Sequence, residues 1–176
     1  MELTVLPKDL KIGESKPLQL YNYRQKKDLE KTKINLSRHT ISFLRSGKKE
    51  VIGDDETVYI TNQRFVVMKA GNCLMTEKVS DEAQVYQSIL LFFSDEAILS
   101  FLDKNPPMKP KSSRNKSFFI YNYDDFIQNF VASLVQIMQL PIPLQEKMLR
   151  HKFEEIDICK KLLYQKVMFR LKMKNT

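Results

Sequence analysis

Few residues in this 176-residue chain could carry catalysis. It has two histidines, His39 and His151, one in each half. A metal site of three His, or of two His and a carboxylate, cannot be assembled from such a pair on one set of neighbouring strands. Neither histidine stands in a Ser-His-Asp context. His39 sits in a strand-like run and reads as a packed or rim histidine. The cysteines Cys73 and Cys159 lie 86 positions apart. They read as free thiols of a core. Cys73 has Lys69 and Lys78 near it in sequence, the setting in which a cation could activate a thiol, but the spacing is loose. Asp54-Asp55 and Asp124-Asp125 are adjacent carboxylates. Neighbours in sequence point to different sides of a strand or helix. The first pair suits a turn, and the second suits the opening of a helix, where carboxylates meet free N–H groups. With four glycines, no Gly-rich phosphate loop is present. The expectation is a protein without catalytic residues, metal or cofactor.

Charge narrows the partners. The net charge is +8, and from Lys147 onward nine basic residues face three acidic ones, so the last thirty positions carry +6 of it. The body is nearly neutral and does not read as a nucleic-acid surface. Tyr164 and Phe169 interleave with Lys166, Arg170 and Lys172, which would suit nonspecific, salt-sensitive contact with phosphates. The plainer reading is a solvated helix face. No apolar run approaches the ~20 residues of a membrane span, and the first residues lack the pattern of a secretory signal. A cytoplasmic location follows as the default.

The elements that must position these groups read as strands first and helices last. Residues 1–16 form an irregular lead-in. Strand patterns cover Pro17–Arg24, Lys33–Gly47 (a pair or one bent strand), "KEVIG", "ETVYIT", Arg64–Lys69, Cys73–Val79 and Ala83–Phe93. Gly47, Asp54-Asp55, Asn62-Gln63 and Ala70-Gly71-Asn72 are the turns between them. Ile89 to Phe93 is apolar at both parities, so that strand is covered on both sides. Helices supply the second cover. Ser94 caps the first, with Asp95 and Glu96 in its opening turn. Phe126, Phe130, Leu134 and Ile137 make the stripe of the second. After Pro141 and Pro143 a third carries Leu149, Phe153, Ile156, Leu163 and Val167. This is an α+β order with about seven or eight antiparallel strands in a barrel or sandwich and a C-terminal helical hairpin. Residues 1–105 hold the strands and first helix, 106–116 a basic, Pro-rich loop, and 117–176 the helical region with its basic tail.

The stretch His39 to Asn105 resembles the N-terminal regulatory domain of AraC-type transcription regulators. The carriers are "FLRSG" (Phe43–Gly47), the hairpin that follows, "RFVVMK", the long strand ending in "FFSD" (Phe92–Asp95), "FLDK" (Phe101–Lys104) and, later, "HKFEEI" (His151–Ile156). The turn that carries Gly-Asp in the family holds Asn62-Gln63 here. Asn tolerates a left-handed backbone. The resemblance implies a cupin-like β-barrel that binds a small effector or a partner protein, followed by helices that dimerise. It also implies a separate domain with two helix-turn-helix motifs that reads DNA, and no such segment lies in these 176 residues. A sensing and dimerisation module is therefore expected, working as a homodimer or with a full-length regulator, in the latter case as a stand-alone or truncated modulator. The competing class is a metal-free, cupin-like isomerase.

Alternation proposes Ile41, Phe43, Val58, Ile60, Phe65, Val67, Met75, Ile89 and Leu91 as the barrel interior. These side chains either line an effector pocket or simply fill a small barrel. Lys31, Lys33, Arg45 and Lys69 would form a basic rim and favour an amphipathic anion such as a fatty acid. Phe126, Phe130, Leu134, Leu149, Phe153, Ile156 and Leu163 are the dimer-interface candidates. The alternative is that both helical stripes pack on the barrel.

Overall fold

A computed structural model describes residues 3–12, 15–104 and 117–158. Ten strands and three helices are found there. The strands are β1 (Leu3–Leu6), β2 (Leu18–Gln25), β3 (Leu29–Leu36), β4 (His39–Ser46), β5 (Lys48–Ile52), β6 (Thr57–Ile60), β7 (Arg64–Met68), β8 (Gly71–Lys78), β9 (Tyr86–Phe93) and β10 (Phe118–Asn122). The helices are α1 (Asp95–Lys104), α2 (Asp125–Ile137) and α3 (Ile142–Ile158). The basic loop 106–116 and the tail from Cys159, with Leu163, Tyr164 and Phe169, lie outside the described residues.

The strands form two five-stranded sheets, ordered β1-β3-β8-β5-β6 and β10-β7-β4-β9-β2. Every pairing is antiparallel except β1 with β3, where Leu3 lies opposite Lys33. Their inner faces share one apolar cluster, with Ile34, Leu36, Val51, Ile60 and Met75 from the first sheet and Leu44, Val66, Met68, Leu90 and Phe92 from the second. This is the two-layered cupin-like architecture expected from the sequence, with a helical hairpin after it. Short turns set the registers. Gly47 joins β4 to β5 at φ +93°, and a Cβ there would lie 2.3 Å from the Lys78 carbonyl oxygen. Only glycine fits on both counts.

The three helices cover the outer face of the second sheet. Ala97, Ile98 and Phe101 of α1, Ile127, Phe130, Val131, Leu134 and Ile137 of α2, and Leu149 and Phe153 of α3 pack on Ile41, Phe43, Phe65, Val67, Ile89, Leu91 and Phe93. Burying each large side chain of this kind stabilises by roughly 1.5–3 kcal/mol. Both predicted caps form. The Asp124 carboxylate accepts from the Ile127 N–H at 2.8 Å, and Ser94 Oγ accepts from the Ala97 N–H at 3.3 Å.

Two strands escaped the sequence reading. β1 lies in the supposed irregular lead-in and is held through β3 and by the Asp9 carboxylate on the Val5 N–H at 2.6 Å. β10 registers against β7, with Phe118 opposite Met68.

Candidate functional site

A cavity of about 130 Å³ lies between the sheets. Leu6 of β1, Leu10 of the short 3-10 turn Lys8–Leu10, Leu29, Ile34 and Leu36 of β3, Met68 of β7, Met75 of β8 and Leu90 of β9 make it mainly apolar. Tyr23, Lys49, Glu77, Asp9 and the threonines Thr4, Thr32 and Thr40 complete its lining.

The polar part follows from register. Lys49 and Glu77 are opposite each other on β5 and β8. They share the inward parity of Val51 and of Cys73 and Met75, so both enter the interior. Their side chains are only 3% and 6% exposed, and Lys49 Nζ donates to Glu77 Oε1 at 2.9 Å. Burial works against the Lys49 ammonium, but Tyr86 and Glu77 beside it outweigh burial and hold it protonated, above lysine's ordinary value. Gln25 donates weakly to the other Glu77 oxygen at 3.4 Å and also donates to the Tyr23 hydroxyl. Burial, with Glu77 next in weight, raises the Tyr23 phenol well above its ordinary value, so it stays neutral. Tyr86 packs edge-on against Tyr23, with ring centroids 5.9 Å apart. Its hydroxyl lies near Ser88 and Lys49 but makes no well-formed hydrogen bond, and burial raises it to about 12. Ser42 Oγ and Ser88 Oγ are likewise buried without a partner.

The structure divides the expected interior residues. Met75 lines the cavity, and Val58 and Ile60 belong to the inter-sheet cluster. Ile41, Phe43, Phe65, Val67, Ile89 and Leu91 do not face the interior; they face the helices. The alternation was correct in period but reversed in parity on β4, β7 and β9, because both faces of these strands are apolar. On the same strand Phe92 faces between the sheets, and its neighbours Leu91 and Phe93 face the helices. The basic rim does not assemble either. Lys31, Lys33 and Arg45 are exposed on β3 and β4, and none lines the cavity. Lys69 is buried just after β7, beside a second recess of about 40 Å³ that also touches Asp54, Asn72 and Cys73.

The expected dimer stripe is a core stripe. Phe130, Leu134, Leu149 and Phe153 are buried on the sheet, and Phe126 packs against the same cluster. Nothing is described of the Ile156 side chain, and Leu163 lies outside the described residues. The exposed apolar side chains of the hairpin are instead Ile142, Leu144 and Met148.

His39 is the packed histidine anticipated from its strand. Its Nδ1 accepts from the Ala70 N–H at 3.0 Å, which requires the neutral ring, and Nε2 then donates to Asp95 Oδ1 at 2.8 Å. Cys73 is a buried free thiol that burial pushes up to about 11, the opposite of an activated nucleophile. Asp54-Asp55 occupies the β5–β6 turn and Asp124-Asp125 the start of α2. Among the described residues no cluster of His, Cys, Asp and Glu could hold a metal ion, and no helix is long and apolar enough to cross a membrane.

The sequence reading missed Lys49, Glu77, Tyr23 and Tyr86. A signal existed for the first two, namely a charge at an inward position of a strand with alternating burial.

The family model described as the ExsA N-terminal regulatory domain matches residues 39–156. Among solved structures, apo ToxT from Vibrio cholerae superposes with a TM-score of 0.65 at 14% identity, covering 84% of this chain and 57% of that one. A second crystal form of ToxT gives 0.55 at 16% identity, covering 84% and 58%. ToxT with an unsaturated fatty acid bound gives 0.53 at 14% identity, covering 83% and 55%. At these identities the likeness establishes the fold, and the chain spans a little over half the length of the ToxT chains it matches. The search of curated proteins returned no match.

Proposed function

The chain belongs to the family of ExsA N-terminal regulatory domains of AraC-type regulators, and on that premise we propose that it is a sensing and dimerising module that acts by binding and not by catalysis. The observation that carries this reading is the apolar inter-sheet cavity with a buried charged pair in its wall. A concave, mainly apolar recess with a few convergent polar groups is the usual form of a small-molecule site. The effector is a small amphipathic molecule. ToxT structures hold an unsaturated fatty acid or (E)-4-(8-methylnaphthalen-1-yl)but-3-enoic acid, so carboxylates are the first comparison set. DNA is read by a helix-turn-helix domain, carried either in the same polypeptide or by a full-length partner in a mixed dimer.

Dimerisation uses the outward side of the α2–α3 hairpin. Leu144 and Met148 are exposed and one helical turn apart, so they share a face. Both core stripes are occupied by the sheet, which leaves this face for a second chain. The N-terminal half of α3 therefore replaces the buried stripe as the dimer candidate.

Two measurements test the reading. Light scattering of the purified chain is expected to give a dimer that Leu144→Glu with Met148→Glu converts to a monomer. A monomeric wild type removes the dimerising role. A thermal-shift panel of small amphipathic molecules is expected to contain a stabiliser. At a hundredfold excess over Kd, binding adds about 2.7 kcal/mol, or roughly 5–10 °C for a chain of this size. No shift across neutral, anionic and cationic members removes the sensing role.

A further inference from the structure

The cavity that this reading assigns to an effector has an unusual charge inventory. Its lining contains one cation, Lys49, and two carboxyl side chains, Glu77 and Asp9. The cation is already spent: Lys49 Nζ is 2.9 Å from Glu77 Oε1, with both side chains sealed from solvent. The basic residues that could have offset the second carboxyl, Lys31, Lys33 and Arg45, point elsewhere. A carboxylate entering this space would meet Lys49 only alongside the Glu77 oxygens. In a low-dielectric interior like charges at short range are costly, and an anion stripped of water has no free counter-charge to receive it. A cation meets the mirror problem at Lys49.

A neutral polar head meets neither. Beyond the pair, Lys49 N–H groups face the Tyr86 hydroxyl, and the second Glu77 oxygen takes the 3.4 Å contact from Gln25 beside the Tyr23 hydroxyl, so both partners present exchangeable polar contacts. A hydroxyl can accept from the first and donate to the second. The volume sets the scale of the apolar part: an engineered cavity of about 150 Å³ accommodates benzene, and this one is about 130 Å³. We propose that the inter-sheet cavity selects a neutral, ring-sized molecule with a hydroxyl group, and that the Lys49–Glu77 pair rejects the corresponding carboxylate. The proposal rests on the sensing-module reading and fixes the chemical class of its effector.

The test uses the full 176-residue chain and four probes: phenol, benzoate, benzylamine and oleate, each followed by calorimetry and thermal shift. Phenol is expected to bind at least about tenfold more tightly than benzoate or benzylamine, a difference of about 1.4 kcal/mol. Glu77→Gln keeps the size of the side chain and removes one negative charge, and is expected to narrow or invert the phenol-to-benzoate ratio. Because that variant leaves Lys49 buried without its counter-ion, a second variant carries the question if it does not fold. Lys49→Met with Glu77→Leu removes the pair together, a replacement that buried pairs tolerate, and is expected to bind phenol while losing at least half of the selectivity against benzoate. Benzoate or oleate binding to the wild type as tightly as phenol overturns the proposal and leaves the effector-binding reading standing. Selectivity unchanged in the double variant overturns the role of the pair. No binding by any of the four overturns the proposal, and the wider thermal-shift panel then decides whether the small-molecule sensing role falls with it.

Discussion

The second sheet is buried on both sides, and its two faces are built differently. Toward the helices, β4, β7 and β9 present Ile41, Phe43, Phe65, Val67, Ile89 and Leu91, closed over by rings in contact: Phe43 lies 5.3 Å from Phe65 and 5.9 Å from Phe130, centroid to centroid. Toward the other sheet, the same strands present Leu44, Val66, Met68, Leu90 and Phe92, but mixed with Ser42, Ser88 and Tyr86, and opposite an ion pair and a cavity. Only the first is packed as an apolar solid. Departures from good packing and polar satisfaction concentrate where a sequence serves something besides stability. On the proposed reading the helix-facing side is the scaffold and the inter-sheet side the site.

The sharpest way to break this comparison is the ion pair. Glu77→Leu alone leaves Lys49 buried without its counter-ion and is expected to cost about 3–5 kcal/mol, whereas adding Lys49→Met should recover most of that loss. Urea unfolding of the two singles and the double gives the cycle. A double variant no more stable than the singles would mean that the pair is not an isolated polar insertion in an apolar wall. Next come the two apolar faces. Phe43→Ala on the scaffold side is expected to cost about 3–5 kcal/mol and to leave phenol affinity unchanged. Leu90→Ala, in the cavity wall, should cost nearer 2 kcal/mol, the low end for such a change, because it enlarges a space that already exists. It should alter which probe fits best. Equal losses of stability with equal effects on binding would erase the distinction between the faces. A smaller effect belongs to the scaffold's attachment: Asp124→Ala removes the cap of α2 and should cost about 1 kcal/mol, without touching probe selectivity.

The same contrast explains what could be read from the residues. In β8 the burial alternates as "CLMTEK" suggests: Met75 points inward, and Leu74 and Thr76 are only half buried on the other side. In β4 the run from His39 to Leu44 is buried at every position. Nothing in "HTISFL" says which parity meets a helix and which meets a sheet, so the interior was assigned to the wrong face. Alternation alone is the misleading cue: it marks Phe43 and Phe65 as pocket walls, and both pack in the cluster under the helices. The helices were legible in type and caps, since Ser94 and Asp124 announce them locally, but their partner was not. A stripe such as Phe130 and Leu134 fits a sheet or a second chain equally well. The strand β1 was illegible because its pairing with β3 is parallel and its content is four residues. The charged pair was legible and overlooked. Lys49 stands at the parity of Val51, and Glu77 at that of Met75.

The smallest predicted effect concerns the joint between scaffold and sheet end. His39 touches both Ala70 after β7 and Asp95 at the start of α1. Burial lowers its pKa and is the largest influence; Asp95 pulls the other way, and Lys69 reinforces the lowering. The sign follows from the proton count. Above about pH 6.5, histidine's ordinary value, the ring is neutral folded and unfolded, and stability does not depend on it. As pH falls below that, the unfolded chain takes up the proton first, so stability declines until the depressed folded pKa is reached and is level beyond it. The decline has a structural cause. Protonated Nδ1 would turn its N–H against the Ala70 N–H that it now accepts from. Urea unfolding between pH 7.5 and 5 should show the wild type losing stability relative to His39→Gln, which removes this titration and leaves the carboxylates in common. A wild type that gains on acidification would mean that the Asp95 pairing outweighs burial, and that the joint is an ion pair and not a neutral hydrogen-bonded bridge.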